Sequence, residues 1–264
     1  MKKFISYSQH ADDFIAWQLL GEKNQGVVVE IGAFDGKHLS NSYSLSQLGW
    51  KSICVEPSPR IFKYLEKNRR DATNVNKAVV GDETVTDIEF FSEEIGVLSG
   101  CNYDEEDIKK RYQNRGLQYK EPERFSVPAT TLNKLFDEIN HHKINLLSID
   151  VEGFEMEVLK GLNLNHITVD LFIIEANTSQ EKEAILNYFK SYDDYMFLGN
   201  NYQNLFIARK KAIKRKNLKT LTFDGYFKAK QQHPFDDKLS LDSVPPKFNK
   251  STAYIKHQKL FGLF

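Results

Sequence analysis

Two short runs of continuous apolar residues limit most strongly what this chain can fold into. They are Val27 to Ala33 and Ser52 to Val55, and each ends close to an acidic residue, Glu30 or Glu56, beside a glycine or a proline. Continuous apolar character is typical of strands that are buried on both faces in the middle of a parallel sheet. The two runs therefore predict two central strands of such a sheet.

The segments around these strands favour helices. Ser40 to Leu48 carries apolar residues at helical spacing, which predicts a crossover helix between the strands. After the second strand, Ser58 is a natural N-cap, and Pro59 suits the first position of a helix. A strand, a helix, a strand and a helix in this order predict an α/β fold with a mostly parallel sheet.

The same alternation returns in the second half of the chain and ends in an antiparallel pair. Thr178 and Glu181 form a capping box that predicts the start of one of its helices. A Gly-Asn-Asn turn region near the end predicts a hairpin. The predicted elements are a helix over Thr131 to Asn140, a strand over Ile144 to Ile149, a helix from Phe154 to Leu162, a strand over Val169 to Ile174, and hairpin strands over Tyr195 to Leu198 and Leu205 to Ala208.

Three segments stand outside this alternation. We expect residues 1–26 to cap an α/β domain that spans residues 27–210, and residues 211–264 to form an extension. Ser92 to Glu123 is polar and long for a connection, which fits either a lid over the site or a plain surface excursion. The basic run Lys210 to Lys219 fits either contact with an acidic substrate or a solvated surface.

Composition excludes several classes of protein. Thirty-six basic residues balance thirty-six acidic ones, so no electrostatic excess favours binding to nucleic acid. The two cysteines have neither metal-binding spacing nor the density of a disulfide scaffold. No apolar run follows the lysines at the start, and none is long enough to span a membrane. We expect a cytoplasmic protein without a membrane span that acts on a small molecule.

Ligands of open parallel sheets bind beyond the carboxyl ends of the strands, so the residues there are the candidates for chemistry. Gly32 and Gly36 follow the first strand and allow a tight turn close to a ligand. The turn lacks the third glycine of a dinucleotide-binding motif, which disfavours NAD. Glu56, at the end of the second strand, can accept the two hydroxyls of a ribose.

Acidic residues also follow the later strands. Asp150 ends one strand with Glu152 just behind it, and Glu175 and Asn177 end the next. A carboxylate at this edge can serve as a general base, hold Mg²⁺ with other oxygen ligands, or stabilise a helix N-terminus. We take Asp150 as the first candidate for the base, followed by Glu152 and His38, and leave a metal site of Asp150, Glu175 and Asn177 open.

Three stretches together resemble the FkbM-type methyltransferase family. They are YSQHADDF, VVVEIGAFDGKHLSNSYSLSQLGWKSICVEPSPRIFKYLEKNR and INLLSIDVEGFEMEVLKG, and the resemblance extends from Tyr7 to Arg209. It implies a Rossmann-like class I methyltransferase fold that binds S-adenosylmethionine at the glycine turn, with Glu56 on the ribose. It also implies methylation of a hydroxyl on a glycan or a secondary metabolite.

The resulting hypothesis is an O-methyltransferase that uses S-adenosylmethionine and acts on a carbohydrate or nucleotide-sugar hydroxyl in glycan or polysaccharide biosynthesis. An RNA methyltransferase and a non-catalytic S-adenosylmethionine-binding module remain as alternatives. The residues that we expect at the cofactor are Gln9, Glu30, Gly32, Ala33, Asp35, Gly36, Ser40, Asn41, Glu56, Pro57 and Ala78.

Overall fold

The computed structural model describes residues 4–94, 96, 98–114, 116 and 118–213, and three two-residue strands beyond them. The helices are α1 (Asp12–Leu19), α2 (Tyr43–Gln47), α3 (Pro59–Asn68), α4 (Glu105–Asn114), α5 (Leu132–Glu138), α6 (Glu155–Lys160) and α7 (Ser179–Lys190). The strands are β1 (Ile5–Ser6), β2 (Val27–Ile31), β3 (Lys51–Val55), β4 (Thr73–Val75), β5 (Ala78–Val79), β6 (Asp87–Ser92), β7 (Glu123–Thr130), β8 (Lys143–Ile149), β9 (Thr168–Glu175), β10 (Tyr195–Asn201), β11 (Asn204–Arg209), β12 (Tyr226–Phe227), β13 (Gln231–Gln232) and β14 (Ser240–Leu241).

A seven-stranded sheet in the order β10-β11-β9-β8-β2-β3-β4 forms the centre of the molecule. β2, β3, β4, β8 and β9 are parallel, whereas β11 runs antiparallel to both of its neighbours. This confirms the predicted Rossmann-like class I methyltransferase fold, an α/β fold with a mostly parallel sheet and a C-terminal antiparallel hairpin.

Helices cover both faces of the sheet. Val29 and Ile31 of β2 pack in one core with residues of α5, α6 and α7, whereas Val28 packs in a second core with residues of α1 and α2. α3 packs against Cys54 on the same face as α2. The central strands are therefore buried on both sides, as their continuous apolar sequence predicts.

The caps are those that the sequence predicts. The Ser58 hydroxyl accepts a hydrogen bond from the amide of Ile61 at the start of α3, and Pro59 occupies the first helical position. At α7, Thr178 and Glu181 form the complete capping box. Within the described residues, no helix is both long and apolar enough to cross a bilayer.

One region holds elements that the sequence did not predict, and another lies largely outside the described residues. The segment from Ser92 to Glu123 contains a helix, α4, which buries only Ile108 and Tyr112. It joins two strands that the sequence did not predict, β6 and β7, which form a small sheet with β5 in the order β5-β7-β6. The extension is described only at residues 211–213 and at its short strands, so Lys214 to Lys219 lie outside the described residues.

The crossover between β2 and β3 is held by a buried polar network around Glu30. Its carboxylate accepts hydrogen bonds from the hydroxyls of Ser40 and Ser42, at 2.8 and 2.6 Å, and from the amide of Asn41 at 2.6 Å. These bonds fix the chain as an irregular loop, and α2 begins only at Tyr43, later than the predicted helix.

A buried arginine completes this network. Arg69, at the end of α3, donates to the Ser42 hydroxyl at 2.8 Å and to the Gly36 carbonyl at 3.0 Å. Burial raises the pKa of Glu30, and the charge of Arg69 acts in the opposite direction. Arg69 thus stabilises both the carboxylate and the loop that Glu30 holds.

We predict that Arg69→Met lowers the free energy of unfolding by about 3 to 5 kcal/mol, because it leaves a buried carboxylate without its positive neighbour. Arg70→Met is the matched control, since Arg70 is the next residue and is exposed. Urea denaturation measures both variants. An equal, small loss in the two would contradict the role given to Arg69.

Candidate functional site

A cavity opens along the carboxyl ends of the central strands and has a volume of about 1370 Å³ including its open mouth. It brings together residues that are distant in the sequence, from the start of the chain, the β2 turn and the ends of β3, β8 and β9. Asp35 and Gly36 are not part of its wall. The predicted site residues that line it are Gln9, Glu30, Gly32, Ala33, His38, Ser40, Asn41, Glu56, Pro57, Ala78, Asp150, Glu152, Glu175 and Asn177.

Gly32 lies where two strand ends meet. Its φ is +80°, and a Cβ atom at this position would lie 1.8 Å from the carbonyl oxygen of Asp150. The amides of Gly32 and Ala33 both donate to the Val55 carbonyl, at 3.0 and 2.9 Å. A side chain would force the ends of β2 and β8 apart, so glycine is required for the shape of the cavity.

Glu56 is buried at the end of β3, and each of its carboxylate oxygens accepts one backbone hydrogen bond. The donors are the amide of Phe34 at 3.1 Å and the amide of Ser58 at 2.8 Å. Burial raises the pKa of Glu56 to about 8. Each oxygen keeps a further lone pair, so the carboxylate can still accept two hydroxyl groups from a ligand.

Asn41 presents an unsatisfied acceptor to the same cavity. Its side-chain amide nitrogen donates to the Ser148 hydroxyl at 3.0 Å, whereas its buried Oδ1 has no partner among the described residues. A buried acceptor without a partner costs free energy unless a ligand or water donates to it. Glu56 and Asn41 therefore offer acceptor atoms that suit the ribose and amino groups of a nucleoside-containing cofactor.

Asp35 has a local role. It accepts from the amides of Lys37 and His38, and its Oδ2 lies 2.5 Å from Nδ1 of His38. Asn68 of α3 also donates to Oδ2. Asp35 thus orients His38, which lines the cavity, while its own carboxylate is used within the turn.

Four acidic residues come together beyond β8 and β9. Oxygen atoms of Asp150, Glu155 and Glu175 all lie within 4.8 Å of one another, and Arg111 donates to Glu152 Oε2 at 2.8 Å.

Desolvation and the charges of neighbouring acids change the protonation of this group. Asp150 is accessible from the cavity. Desolvation, followed by the charge of Glu175, raises the pKa of Asp150 well above its ordinary value. Burial likewise raises the pKa of Glu175, and burial with the charge of Glu175 raises that of Glu152 to about 8. Asp150 and Glu175 therefore titrate as a pair that shares protons.

The predicted metal ligands are close together but partly engaged. Asn177 donates from its amide nitrogen to Glu175 Oε2 at 2.8 Å. Glu155, which is not among the predicted ligands, also has an oxygen within 4.8 Å of those of Asp150 and Glu175. Glu155 also accepts from the amides of Val151 and Gly153, which gives it a structural role in this loop.

Sequence reasoning missed several contributors to the site, Glu155 and Arg111 among them. Glu155 follows the recognised acids in SIDVEGFEMEV, and its position in the first turn of α6 was the available signal. Arg111 comes from α4, and no local signal connects it to Glu152, forty-one residues later. The segment that carries Arg111 also supplies Gly96, Leu98, Ser99, Gly100 and Cys101 to the cavity wall.

The sequence profile described as the methyltransferase FkbM domain matches residues 30–204, well over half of the chain. The chain belongs to the FkbM methyltransferase family. The match extends from Glu30 in β2 to Asn204 in β11, so it includes the glycine turn, Glu56 and the acidic cluster.

Solved structures similar to this chain include a methyltransferase FkbM from Methylobacillus flagellatus, with 14% identity and a TM-score of 0.44 over 70% of this chain and 44% of that one. This chain therefore spans less than half the length of that protein. A precorrin-6y C5,15-methyltransferase from Geobacter metallireducens has 10% identity and a TM-score of 0.37, over 74% and 84% of the two chains. A methyltransferase from Geobacter sulfurreducens has 12% identity and a TM-score of 0.38, over 75% and 77%. No protein with a curated description matches the chain.

FkbM methyltransferases depend on S-adenosylmethionine, and the acceptor atoms of Glu56 and Asn41 fit that cofactor. We predict that Glu56→Gln weakens S-adenosylmethionine binding by about 1.5 to 3 kcal/mol, the scale of a hydrogen bond to a charged group. Calorimetry should be done above the pKa of Glu56, about 8, where the carboxylate is ionised. Glu66→Gln, an exposed substitution on α3, is the control. Equal affinity in the two folded variants would refute the assignment.

Proposed function

We propose that the chain is an O-methyltransferase that methylates a hydroxyl group of a carbohydrate or nucleotide sugar, with Asp150 as the general base. S-adenosylmethionine supplies an electrophilic methyl group on a positively charged sulfur. The observation that carries the proposal is the position of Asp150, accessible at the cavity wall, with its backbone against the glycine turn and a carboxyl oxygen within 4.8 Å of one of Glu175.

Asp150 would accept the proton of the acceptor hydroxyl as the new bond to the methyl carbon forms. A sugar hydroxyl is a weak nucleophile, so a positioned base increases the rate by about 10² to 10⁴. The raised pKa of Asp150 makes its ionised form a stronger base than an ordinary carboxylate. The charge of Glu175 contributes to this raised pKa.

The charges of the cavity wall support a positively charged donor and an acceptor without phosphates at the point of reaction. Arg111 and Lys77 are the permanently cationic side chains among the described lining residues. Five acidic side chains face them: Glu30, Glu56, Asp150, Glu152 and Glu175. A polyanion such as RNA needs a basic surface, so this wall favours a sugar over RNA as acceptor.

We extend the proposal to the segment from Ser92 to Glu123, which we regard as a lid on the acceptor side of the site. Residues 96–101 of this segment line the cavity at five described positions, and Arg111 ties α4 to Glu152. Arg111 also pairs with Asp107 at 2.7 Å on its own helix. The lid would hold Glu152 away from Asp150 and exclude water from the reacting groups.

Turnover with labelled S-adenosylmethionine against a panel of nucleotide sugars and glycans tests the reaction itself. A methylated sugar product supports the proposal. Tight donor binding without any product from this panel would favour a non-catalytic binding module. Methylation of RNA in the same assay would show that the acceptor is a nucleic acid and not a sugar.

For the acceptor found in that panel, we predict that Asp150→Asn lowers kcat by about 10² to 10⁴ with little change in donor affinity. Asparagine keeps the size of the side chain and removes its ability to accept a proton. Asp137→Asn, on the exposed surface of α5, is the control.

Other roles of Asp150 give different results. If the residue holds a metal, chelators inhibit the wild-type protein and a divalent ion restores its activity. If it only stabilises the end of a helix, the variant loses up to about 1 kcal/mol of stability and keeps its kcat. Near-wild-type turnover would end the catalytic assignment, and Glu152 would be tested next.

A second prediction concerns pH. Because the base must be ionised, kcat/KM should fall as pH falls through the raised pKa of Asp150, at a higher pH than for an ordinary carboxyl group. Glu175→Gln removes the negative charge that raises this pKa, so the acidic limb of the profile should move to lower pH. Glu183→Gln, exposed on α7, should leave the profile unchanged. A limb that stays in place in Glu175→Gln would contradict the coupling.

A further inference from the structure

Tyr202 lies at the tip of the β10-β11 hairpin, next in the chain to a residue of the cavity wall. Asn204 pairs with Glu175 in the sheet, so the tip lies at the carboxyl edge where the acidic cluster is found. Its neighbour Gln203 lines the cavity and accepts a backbone hydrogen bond from Ala176 at 2.9 Å. The Tyr202 side chain is 54% exposed, although large apolar side chains elsewhere in the described chain are mostly covered.

The ring of Tyr202 is held in place on one face. It stacks on the His10 ring with centroids 3.9 Å apart and an angle of 22° between the planes. Its backbone has a φ of +51°, which is unfavourable for a bulky residue, and Asn200 donates to its carbonyl at 2.9 Å. The turn therefore leaves an aromatic ring available for contact with a molecule outside the fold.

Hydrogen bonds join the two segments that carry the rings. Asn201 donates to the His10 carbonyl and to Asp12 Oδ1, both at 2.8 Å, and Asn204 donates to Asp12 Oδ2 at 3.0 Å. These bonds join the N-terminal segment to the hairpin, and they bring Gln9 and Gln203 to the cavity beside the rings. An aromatic face next in the chain to two glutamines can offer apolar contact together with hydrogen bonds to hydroxyl groups.

The charge of this surface matches a neutral ligand. His10 Nδ1 is buried without a hydrogen-bond partner among the described residues, and burial lowers the pKa of His10 to about 4. The imidazole is therefore neutral at physiological pH. With carboxylates on the adjoining wall, the surface does not attract an anion.

We propose that the stacked rings of His10 and Tyr202 form an acceptor platform on which a neutral sugar ring packs, with Gln9 and Gln203 bonding its hydroxyls. The C–H face of a pyranose is apolar and matches the exposed face of Tyr202, while the sugar's polar edge turns to the two amides. The inference rests on the proposed function and narrows its acceptor to a neutral glycan.

Saturation-transfer NMR on the full chain, with S-adenosylhomocysteine present, tests the platform. The probes are methyl glycosides of neutral hexoses and, separately, uridine and adenosine monophosphate. We expect transfer to the ring protons of at least one glycoside, retained in Tyr202→Phe and weakened about threefold to tenfold in Tyr202→Ala. Tyr192→Ala, at the opposite edge of the sheet, should bind like the wild type.

Three outcomes would overturn the platform: no transfer to any glycoside, transfer that survives in Tyr202→Ala, or transfer that depends on Tyr202 with the nucleotides alone. Calorimetry with S-adenosylmethionine separates this failure from that of the proposed function. Normal donor affinity in Tyr202→Ala with any of these outcomes removes only the platform, whereas wild-type protein that binds no donor removes the methyltransferase proposal itself.

Discussion

The close approach of Gly32 to the carbonyl of Asp150 sets the distance between the two halves of the cavity. The turn after β2 carries the backbone next to the expected donor site, and the end of β8 carries the expected base. With a Cβ distance of 1.8 Å to the carbonyl oxygen, no side chain fits between them. The parallel pairing of β2 with β8, continued by the hydrogen bond from Asp150 to Ile31, therefore places donor turn and acidic cluster in direct contact. A methyl transfer requires such alignment, because much of its rate comes from holding the reacting atoms in line.

Carboxyl groups around this contact are buried at a cost to the stability of the fold. Burial raises the pKa of Glu56 and Glu152 to about 8 and that of Glu155 to about 7. A carboxyl group with a raised pKa in the folded state binds protons more tightly there than in the unfolded chain. The group's contribution to the free energy of unfolding is therefore complete at pH values below its pKa in the unfolded chain. This contribution is lost as pH rises through its pKa in the folded state. A positively charged donor reverses this penalty, since it favours the ionised carboxylates. The ionised acids of the cavity thus lower the stability of the protein without a ligand and favour binding of a positively charged donor.

The sequence predicted those parts of the molecule in which local pattern and burial agree. Continuous apolar runs identified β2, β3, β8 and β9, and Thr178 with Glu181 identified the start of α7, because each signal lies within a few residues. The small sheet was missed since β6 and β7 expose many of their residues and contain no such run. Helix α4 was missed for a similar reason, because its buried side consists only of Ile108 and Tyr112. In the site, strand ends gave the positions of Glu56 and Asp150. They could not reveal that the hydroxyls of Ser40 and Ser42 donate to the carboxylate of Glu30, or that Arg111 donates to Glu152. These contacts depend on how distant segments pack.

The two sides of the cavity differ in how the chain builds them. Residues 30–57 supply most of the expected donor side, within one strand-turn-helix-strand unit that Glu30 and Arg69 hold together. The proposed acceptor side combines Gln9, which the sequence predicted at the cofactor, with the segment before β7 and the hairpin tip at Gln203. Asp12 joins the first and last of these through Asn201 and Asn204, so the N-terminal segment fixes the hairpin as much as it covers the sheet. A change in the hairpin tip or in the segment around α4 can therefore reshape the acceptor side without disturbing Gly32 or Glu56. In the proposed enzyme, donor binding and acceptor choice thus depend on parts of the chain that can vary independently, and this separation follows from the positions of the strands in the sheet.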